Sequence, residues 1–410
     1  MIFEKFLSLL PSELDGALVM SEENRRYFTS FPSSDGALLI SRNGTVFLTD
    51  SRYVEAAQKK ITVCPVRLSK NLSTELPQLM SEFKINNLAV ETTRLTVAQF
   101  EDFTKWMPDT GICTENYADR AIDALRMVKS DEEVALVCEA QAIAERAFDH
   151  ILGFIKPGVT ERDIQLELDY YMLRNGAEAL SFETIAVSGV NSSMPHGVPS
   201  DKKVESGEFI TMDYGAVVGG YHSDMTRTVA VGSVSAEQKK IYNTVLEAQL
   251  ASMEKMAPGV SCFDADKAAR DVITEAGYGE FFGHGTGHGV GYVLSVHEGP
   301  QRIHWRGAPI PLEPGMVTSD EPGFYLEGKF GIRHENLTVV CEGETNAYGR
   351  FLHFDYLTMV PFDLDAVDAR YLNEDYKKLL NAYHAKVRET ILPYLAGDEA
   401  EWLLHATRAI

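Results

Sequence analysis

The stretch FITMDYGAVVGGYHSDMTRTVAV, residues 209–231, constrains the fold more tightly than any other part of the chain. Two runs rich in β-branched and aromatic residues flank Val217-Val218-Gly219-Gly220, which reads as a four-residue turn between paired strands. With the hairpin centred between Val218 and Gly219, Asp213 and Asp224 fall directly opposite each other, Cβ atoms roughly 4.5–5.5 Å apart. Thr211 and Thr226 share that face through the two-residue period of a strand. Like charges so placed oppose folding unless a proton, a slip of register or a cation relieves them. The pair alone does not choose among these.

More carboxylates lie downstream. MVTSDEPGFY (316–325) and FGIRHENLTVV (330–340) read as two further strands joined by a glycine-containing turn. Glu321 closes the first run at Pro322-Gly323, where ladder pairing must stop. On the second run Arg333, Glu335 and Leu337 share one face, and Ile332, His334 and Asn336 the other. Asp213, Asp224, Glu321 and Glu335 would carry four negative charges, which two divalent cations cancel. With one neutral imidazole added, such a donor set suits Mn²⁺ and accepts Co²⁺ or Zn²⁺. Two cations about 3.5–4 Å apart can share a water, activate it near neutral pH and polarise the carbonyl it attacks.

The surrounding chain supplies α and β elements in blocks. GALLISRNGTVFLTD (36–50) reads as a hairpin around Asn43-Gly44, and TVAQFEDFTKWM (96–107) as a helix. Ser130 and Glu133 are spaced as a capping box, after which Leu136, Ala140, Ile143, Ala147 and Ile151 recur at helical spacing. Pro157-Gly158 stops that helix, Thr160 caps the next, and Gly176 ends it. Strands and glycine-rich turns then dominate to about residue 345, and the tail reads helical. The expectation is an α+β chain: an N-terminal α/β domain over 1–118, a helix-and-sheet domain over 119–345 and a helical extension over 346–410.

A net charge of −22 argues against nucleic-acid binding, which needs clustered Lys and Arg. The five cysteines, Cys64, Cys113, Cys138, Cys262 and Cys341, are odd in number and scattered, so neither a disulfide framework nor a Cys-type zinc motif is expected. With no run of 18 apolar residues and no secretory-type N-terminus, no membrane partner is expected and the chain reads as cytoplasmic.

GHGTGHGVGYVLSVHEGP (283–300) places His284, His288 and His297 among glycines, yet it fits neither phosphate-loop pattern, GxGxxG or GxxxxGK[ST]. Taken with MDYG…HSDMTRT, SDEPGFY and RHEN, it resembles the creatinase/aminopeptidase metallopeptidases of the pita-bread fold, and within them the Xaa-Pro aminopeptidases. The likeness is strongest over 181–340 and looser in the N-terminal domain and the C-terminal extension.

That resemblance implies a creatinase-like N-terminal domain, a pita-bread catalytic domain and five metal ligands, Asp213, Asp224, His288, Glu321 and Glu335. It implies two divalent cations, Mn²⁺ first and Co²⁺ or Zn²⁺ as substitutes. It also implies a peptide substrate with proline second, and a homodimer. Glu321 would double as the proton carrier, and His297 would stabilise the tetrahedral intermediate. His196, in NSSMPHGVPS, would contact the proline side, and His284 would shape that pocket. Arg333 would hold a carboxylate or a substrate group, with Tyr325 and Asp320 supporting. His222 reads as solvated, and His334 stands where related enzymes often carry an aliphatic residue. The activity expected is Xaa-Pro aminopeptidase, with Xaa-Pro dipeptidase as the alternative; five intact ligands argue against a non-catalytic binding module.

Overall fold

The computed structural model describes residues 2–255, 260–306 and 310–410. It divides into two compact units, Met1–Arg126 and Met127–Ile410. The first boundary falls at 126 rather than 118 because the helix Tyr117–Met127 buries Ala118, Ala121 and Ile122 in the N-terminal core.

In the first unit β1 (Gly16–Val19), β2 (Ala37–Ser41), β3 (Gly44–Thr49), β4 (Val66–Leu68), β5 (Asn87–Val90) and β6 (Gly111–Cys113) form one sheet, ordered β4-β3-β2-β1-β5-β6. The central pairs β1–β2 and β2–β3 are antiparallel and the outer ones parallel. Both faces are covered, so alternate residues serve different cores: Leu38 and Ile40 pack with Phe6 and Phe28, Leu39 with Leu76 and Phe103. The β2–β3 turn is Arg42-Asn43, one residue earlier than expected, since Ser41 pairs with Gly44.

The second unit holds β7 (Ala179–Leu180), β8 (Ile185–Ser188), β9 (Glu208–Tyr214), β10 (Ala216–Val218), β11 (Tyr221–His222) and β12 (Met225–Val231). It continues with β13 (Gly287–Val290), β14 (His297–Ile303), β15 (Val317–Asp320), β16 (Gly323–Leu326), β17 (Phe330–Arg333), β18 (Asn336–Asn346) and β19 (Gly349–Tyr356). The sheets are ordered β11-β10-β7, β12-β9-β8 and β14-β13-β15-β18-β19, with β16-β17 a separate pair. The helices Asp131–Leu152 and Glu161–Arg174 start at capping boxes of Ser130 and Thr160. Their buried Ala140, Ile143, Ala147, Ile164 and Leu168 pack on Ala186, Ile210 and Met212 of β8 and β9. A second core joins Ile241 and Leu246 of the helix Ala236–Glu254 to Phe324, Ile332, Phe362, Leu380 and Leu403. The tail is therefore part of the same unit, and it opens with a strand, β19, before its helices Glu374–Ile391 and Asp398–Ala406.

The aspartate hairpin has a different register from the one expected. Val218 pairs with Tyr221 and Met225 with Tyr214, so the turn is the two residues Gly219-Gly220. Both have positive φ, +58° and +84°, the backbone that a type I′ turn needs and that glycine adopts without strain. Val217 and Val218 stay in the strand. Asp213 then pairs with Thr226, two residues along from Asp224. Two is an even slip, so both aspartates keep the same face.

The glutamate-bearing strands also depart from two unbroken runs. β15 pairs β18 with Asp320 opposite Asn336, and β16 pairs β17 with Gly323 opposite Arg333. One register spans the gap and brings Glu321 opposite Glu335, but the ladder is broken there. The Glu321 N–H donates to Thr286 O (2.6 Å) and the Glu335 N–H to Thr226 O (3.1 Å). Each glutamate is thus handed from its own hairpin to a neighbouring segment, which brings it to the aspartates.

Candidate metal centre

A cavity of about 410 Å³ in the second unit is lined by Asp213, Asp224, His288, Glu321 and Glu335. His196, His284, His297 and Arg333 line it as well, so these nine residues come together, whereas Tyr325 and Asp320 do not line the cavity. The ring Nδ1 of His288 lies 3.0 Å from Gly289 O, a carbonyl that can only accept, so the proton sits on Nδ1 and Nε2 keeps its lone pair. That Nε2 is 3.4 Å from Asp224 Oδ2 and 3.5 Å from Glu321 Oε1. A neutral ring facing two carboxylate oxygens is stable only with a proton or a cation between them. Ligand atoms of Asp224, His288 and Glu335 lie within 4.8 Å of one another.

The carboxylates are half satisfied. Asp213 Oδ2 accepts from Arg333 Nη2 (2.5 Å) and Glu335 Oε2 from Thr226 Oγ1 (2.7 Å). Asp213 Oδ1, Asp224 Oδ1 and Glu335 Oε1 are buried with no hydrogen-bond partner. Burial, and repulsion from the neighbouring carboxylates, push the Asp224 and Glu335 acids well above the ordinary range; burial raises Glu321. Buried anions with one oxygen oriented and the other bare are a donor set that divalent cations fit, hard oxygens with one imidazole.

Arg333 organises the wall. Besides Asp213 it reaches Thr226 Oγ1 (Nε, 3.1 Å), Pro195 O (Nη1, 3.3 Å) and the Tyr325 hydroxyl (Nη1, 2.7 Å). The Tyr325 hydroxyl in turn meets His284 Nε2 at 2.9 Å, and His284 Nδ1 donates to Gly285 O at 2.8 Å. His284 is therefore a neutral ring with both nitrogens engaged, as burial, which holds its pKa down at about 3, requires.

A model of metallopeptidase family M24 matches residues 135–342, flanked by the creatinase/prolidase N-terminal domain over 9–128 and the C-terminal region of peptidase M24 over 350–410. The chain belongs to metallopeptidase family M24. It is 40% identical over 330 residues to the uncharacterized peptidase YqhT of Bacillus subtilis, covering 80% of this chain and 92% of that protein. Among solved structures it resembles an Xaa-Pro dipeptidase from Bacillus anthracis (38% identity, TM-score 0.80, covering 88% of this chain and 98% of that one). It also resembles an X-Pro aminopeptidase from Thermotoga maritima (37% identity, TM-score 0.78, 87% and 98%). The α+β pita-bread fold with a creatinase-type N-terminal domain is thus this chain's fold.

In this M24 chain the remaining histidines divide by environment. The His297 ring centroid lies 4.2 Å from that of His288, and burial holds its pKa down at about 4. His196 is exposed at the cavity edge, on a loop whose ends are gripped by the buried Glu161 carboxylate, which accepts from Ser188 N (2.7 Å) and Ser200 N (3.1 Å). His222 is not solvated: it is 3% exposed and its Nδ1 meets Ser181 Oγ at 2.8 Å. His334 is wholly buried, edge-on to Tyr242 and Phe362, so an aromatic pocket replaces the aliphatic contact. Asp320 is buried and accepts from Ser252 Oγ at 2.5 Å, away from the ligand atoms.

One group escaped the sequence reading. Arg270, on the helix Cys262–Glu275, makes paired bonds to Asp266 (both 3.0 Å) and donates to Phe282 O (3.0 Å) and His284 O (2.8 Å). Its guanidinium lies against the Phe282 and Trp305 rings, 4.2 and 4.0 Å from their centroids. Asp266 also accepts from the N–H and hydroxyl of Thr286, at 3.1 and 2.9 Å, two residues before His288. The only sequence signal was an acid and a base four apart on a helix, which usually marks a solvated face. Among the described residues no helix is long and apolar enough to cross a membrane.

Proposed function

We propose that this chain hydrolyses the Xaa-Pro peptide bond with two divalent cations held by Asp213, Asp224, His288, Glu321 and Glu335. The observation that carries the metal reading is the set of buried, unpartnered oxygens on Asp213, Asp224 and Glu335, each on a carboxylate converging on the same cavity. The Xaa-Pro reading is supported by the activities for which the Bacillus anthracis and Thermotoga maritima structures are named. Mn²⁺ fits the oxygen-rich donor set best.

Bound cations would supply Lewis acidity and a water that ionises near neutral pH. Glu321, whose acid form burial favours, takes the attacking water's proton and passes it to the proline nitrogen as the C–N bond breaks. An amide nitrogen leaves readily only when protonated, and the proline nitrogen, which has no N–H before cleavage, gains its proton from Glu321. His297, neutral and beside His288, donates a hydrogen bond to the carbonyl oxygen as negative charge builds on it. His196 contacts the proline side at the cavity edge, and His284, both nitrogens engaged, shapes the pocket. Arg333 orients Asp213 so that Oδ1 faces inward.

The aminopeptidase reading, release of the first residue from longer peptides, rests on the sequence motifs and the C-terminal region. A dipeptidase reading is favoured by the names of the Pyrococcus relatives, Xaa-Pro dipeptidases 34% and 33% identical to this chain. Titrating metal-stripped protein with Mn²⁺ tests the metal reading: about two equivalents are expected, lost in Asp224→Asn and Glu335→Gln variants that stay folded. Failure of the parent protein to hold Mn²⁺ would overturn it.

A further inference from the structure

A second set of metal-binding groups lies outside the carboxylate cavity. The antiparallel pairing of β18 and β19 sets Cys341 directly opposite His353, and Asp355, opposite Val339, stands two residues along on the same face. The Cys341, His353 and Asp355 ligand atoms all lie within 4.8 Å of one another. Asp355 is oriented from outside: Lys386, on the helix Glu374–Ile391, bonds Oδ1 at 2.8 Å, while Oδ2 is 3.9 Å from Cys341 Sγ.

We propose that Cys341, His353 and Asp355 form a mononuclear site for a borderline-soft divalent cation, Zn²⁺ or Co²⁺, separate from the carboxylate centre. Three donors and one water make the tetrahedral shell these ions favour. With metal–sulfur and metal–nitrogen bonds of about 2.3 and 2.0 Å, tetrahedral ligand atoms sit roughly 3.5 Å apart. Closing from the present spacing takes about 1 Å of side-chain movement, which a directly opposed cross-strand pair on a partly exposed hairpin permits. Lys386 plays the outer-shell part that fixes a ligating carboxylate. The thiolate separates this site chemically from the all-oxygen-and-imidazole centre, since thiolate favours Zn²⁺ over Mn²⁺. Cys341 lies six residues beyond Glu335, about 20 Å along extended chain, so the two sites share no ligand. Binding replaces the thiol proton with the metal–sulfur bond and releases that proton to solvent. The ladder shifts register between Glu342 and Thr345, just outside the Cys341–His353 pair, so the ion would clasp the hairpin where regular pairing ends.

The test is a Co²⁺ titration of the full-length protein, preloaded with Mn²⁺, at mildly alkaline pH. Thiolate-to-cobalt charge-transfer absorption in the near ultraviolet excludes the carboxylate centre, which offers no sulfur, and the Cys341→Ser variant separates Cys341 from the other four free cysteines. One equivalent of Co²⁺ giving that band is expected. The band should vanish in Cys341→Ser and weaken at least tenfold in affinity in His353→Gln, with peptide hydrolysis by Cys341→Ser unchanged. No band at saturating Co²⁺ overturns the proposal, as does a band undiminished in Cys341→Ser. If peptide hydrolysis is absent while the band appears, the Xaa-Pro reading fails and this site stands.

Discussion

His384 gives a prediction whose size follows from its surroundings. It is wholly buried on the helix Glu374–Ile391, and its Nε2 accepts the Phe362 N–H at 3.1 Å. The ring proton is therefore on Nδ1, which has no hydrogen-bond partner. Burial first, then the charges of Arg227, Arg388 and Arg408, hold its pKa down at about 3, whereas an unfolded chain gives about 6.5. The folded value lies below the unfolded one. The contribution to stability is thus full above about pH 6.5 and is lost as pH falls toward 3. At about pH 5 the unfolded ring is protonated and the folded ring is not. The gap of about 1.5 pH units costs about 2 kcal/mol. In His384→Gln the amide oxygen can take over the Phe362 N–H without titrating. Thermal unfolding of both proteins at pH 8 and pH 5 isolates the effect, because packing differences cancel between the two pH values. The parent should lose about 2 kcal/mol more than the variant, roughly 3–4 °C in Tm for a unit this size. Equal losses would refute the assignment of a neutral, trapped ring.

Three further substitutions probe the site's supports. Thr226→Val removes a hydroxyl that donates to Glu335 and accepts from Arg333, so Mn²⁺ affinity should fall about 10–100-fold in a calorimetric titration. Arg270→Lys cannot hold Asp266, Phe282 and His284 together; turnover measured well below the unfolding temperature should fall toward the ~10²-fold that a misplacement of about 1 Å costs. Gly220→Ala puts a side chain at φ +84° with its Cβ 2.7 Å from the Tyr292 ring, so stability should drop by at least ~1–2 kcal/mol in denaturant unfolding.

What the sequence could reveal followed the range of its signals. The gathering of Asp213, Asp224, His288, Glu321 and Glu335 around one cavity was legible because each motif carries its own neighbours, and because the strand periodicity sets the carboxylates on defined faces. The hairpin register was missed by treating Val217 and Val218 as turn, although β-branched residues belong in strands and Gly219-Gly220 alone satisfies the two-residue loop. The even slip preserved the face and hid the error's consequence. Glu321 and Glu335 sit in a ladder break whose backbone partners, Thr286 and Thr226, lie far off in the chain, so no local pattern announced it. His222 was misjudged for the same reason: Ser181, from a segment 41 residues away, covers it. Arg227 is wholly buried, bonded to Glu335 O, Pro361 O and the Tyr383 hydroxyl, and a lone arginine in a strand gives no sign of that. Nor did the tail read as part of the catalytic unit, because its helices bury Leu380 and Leu403 against residues over a hundred positions earlier.

The most direct test of the central claim is a paired hydrolysis assay on metal-stripped and Mn²⁺-reloaded protein. The substrates are an Xaa-Pro-Yaa tripeptide, an Xaa-Pro dipeptide and the matching Xaa-Ala-Yaa tripeptide. The account predicts cleavage at the Xaa-Pro bond only after reloading, with the Xaa-Ala peptide spared. Release of the first residue from the tripeptide marks an aminopeptidase, and cleavage confined to the dipeptide marks a dipeptidase. Undiminished hydrolysis by the stripped protein, or no Xaa-Pro cleavage with two equivalents of Mn²⁺ bound, would contradict it.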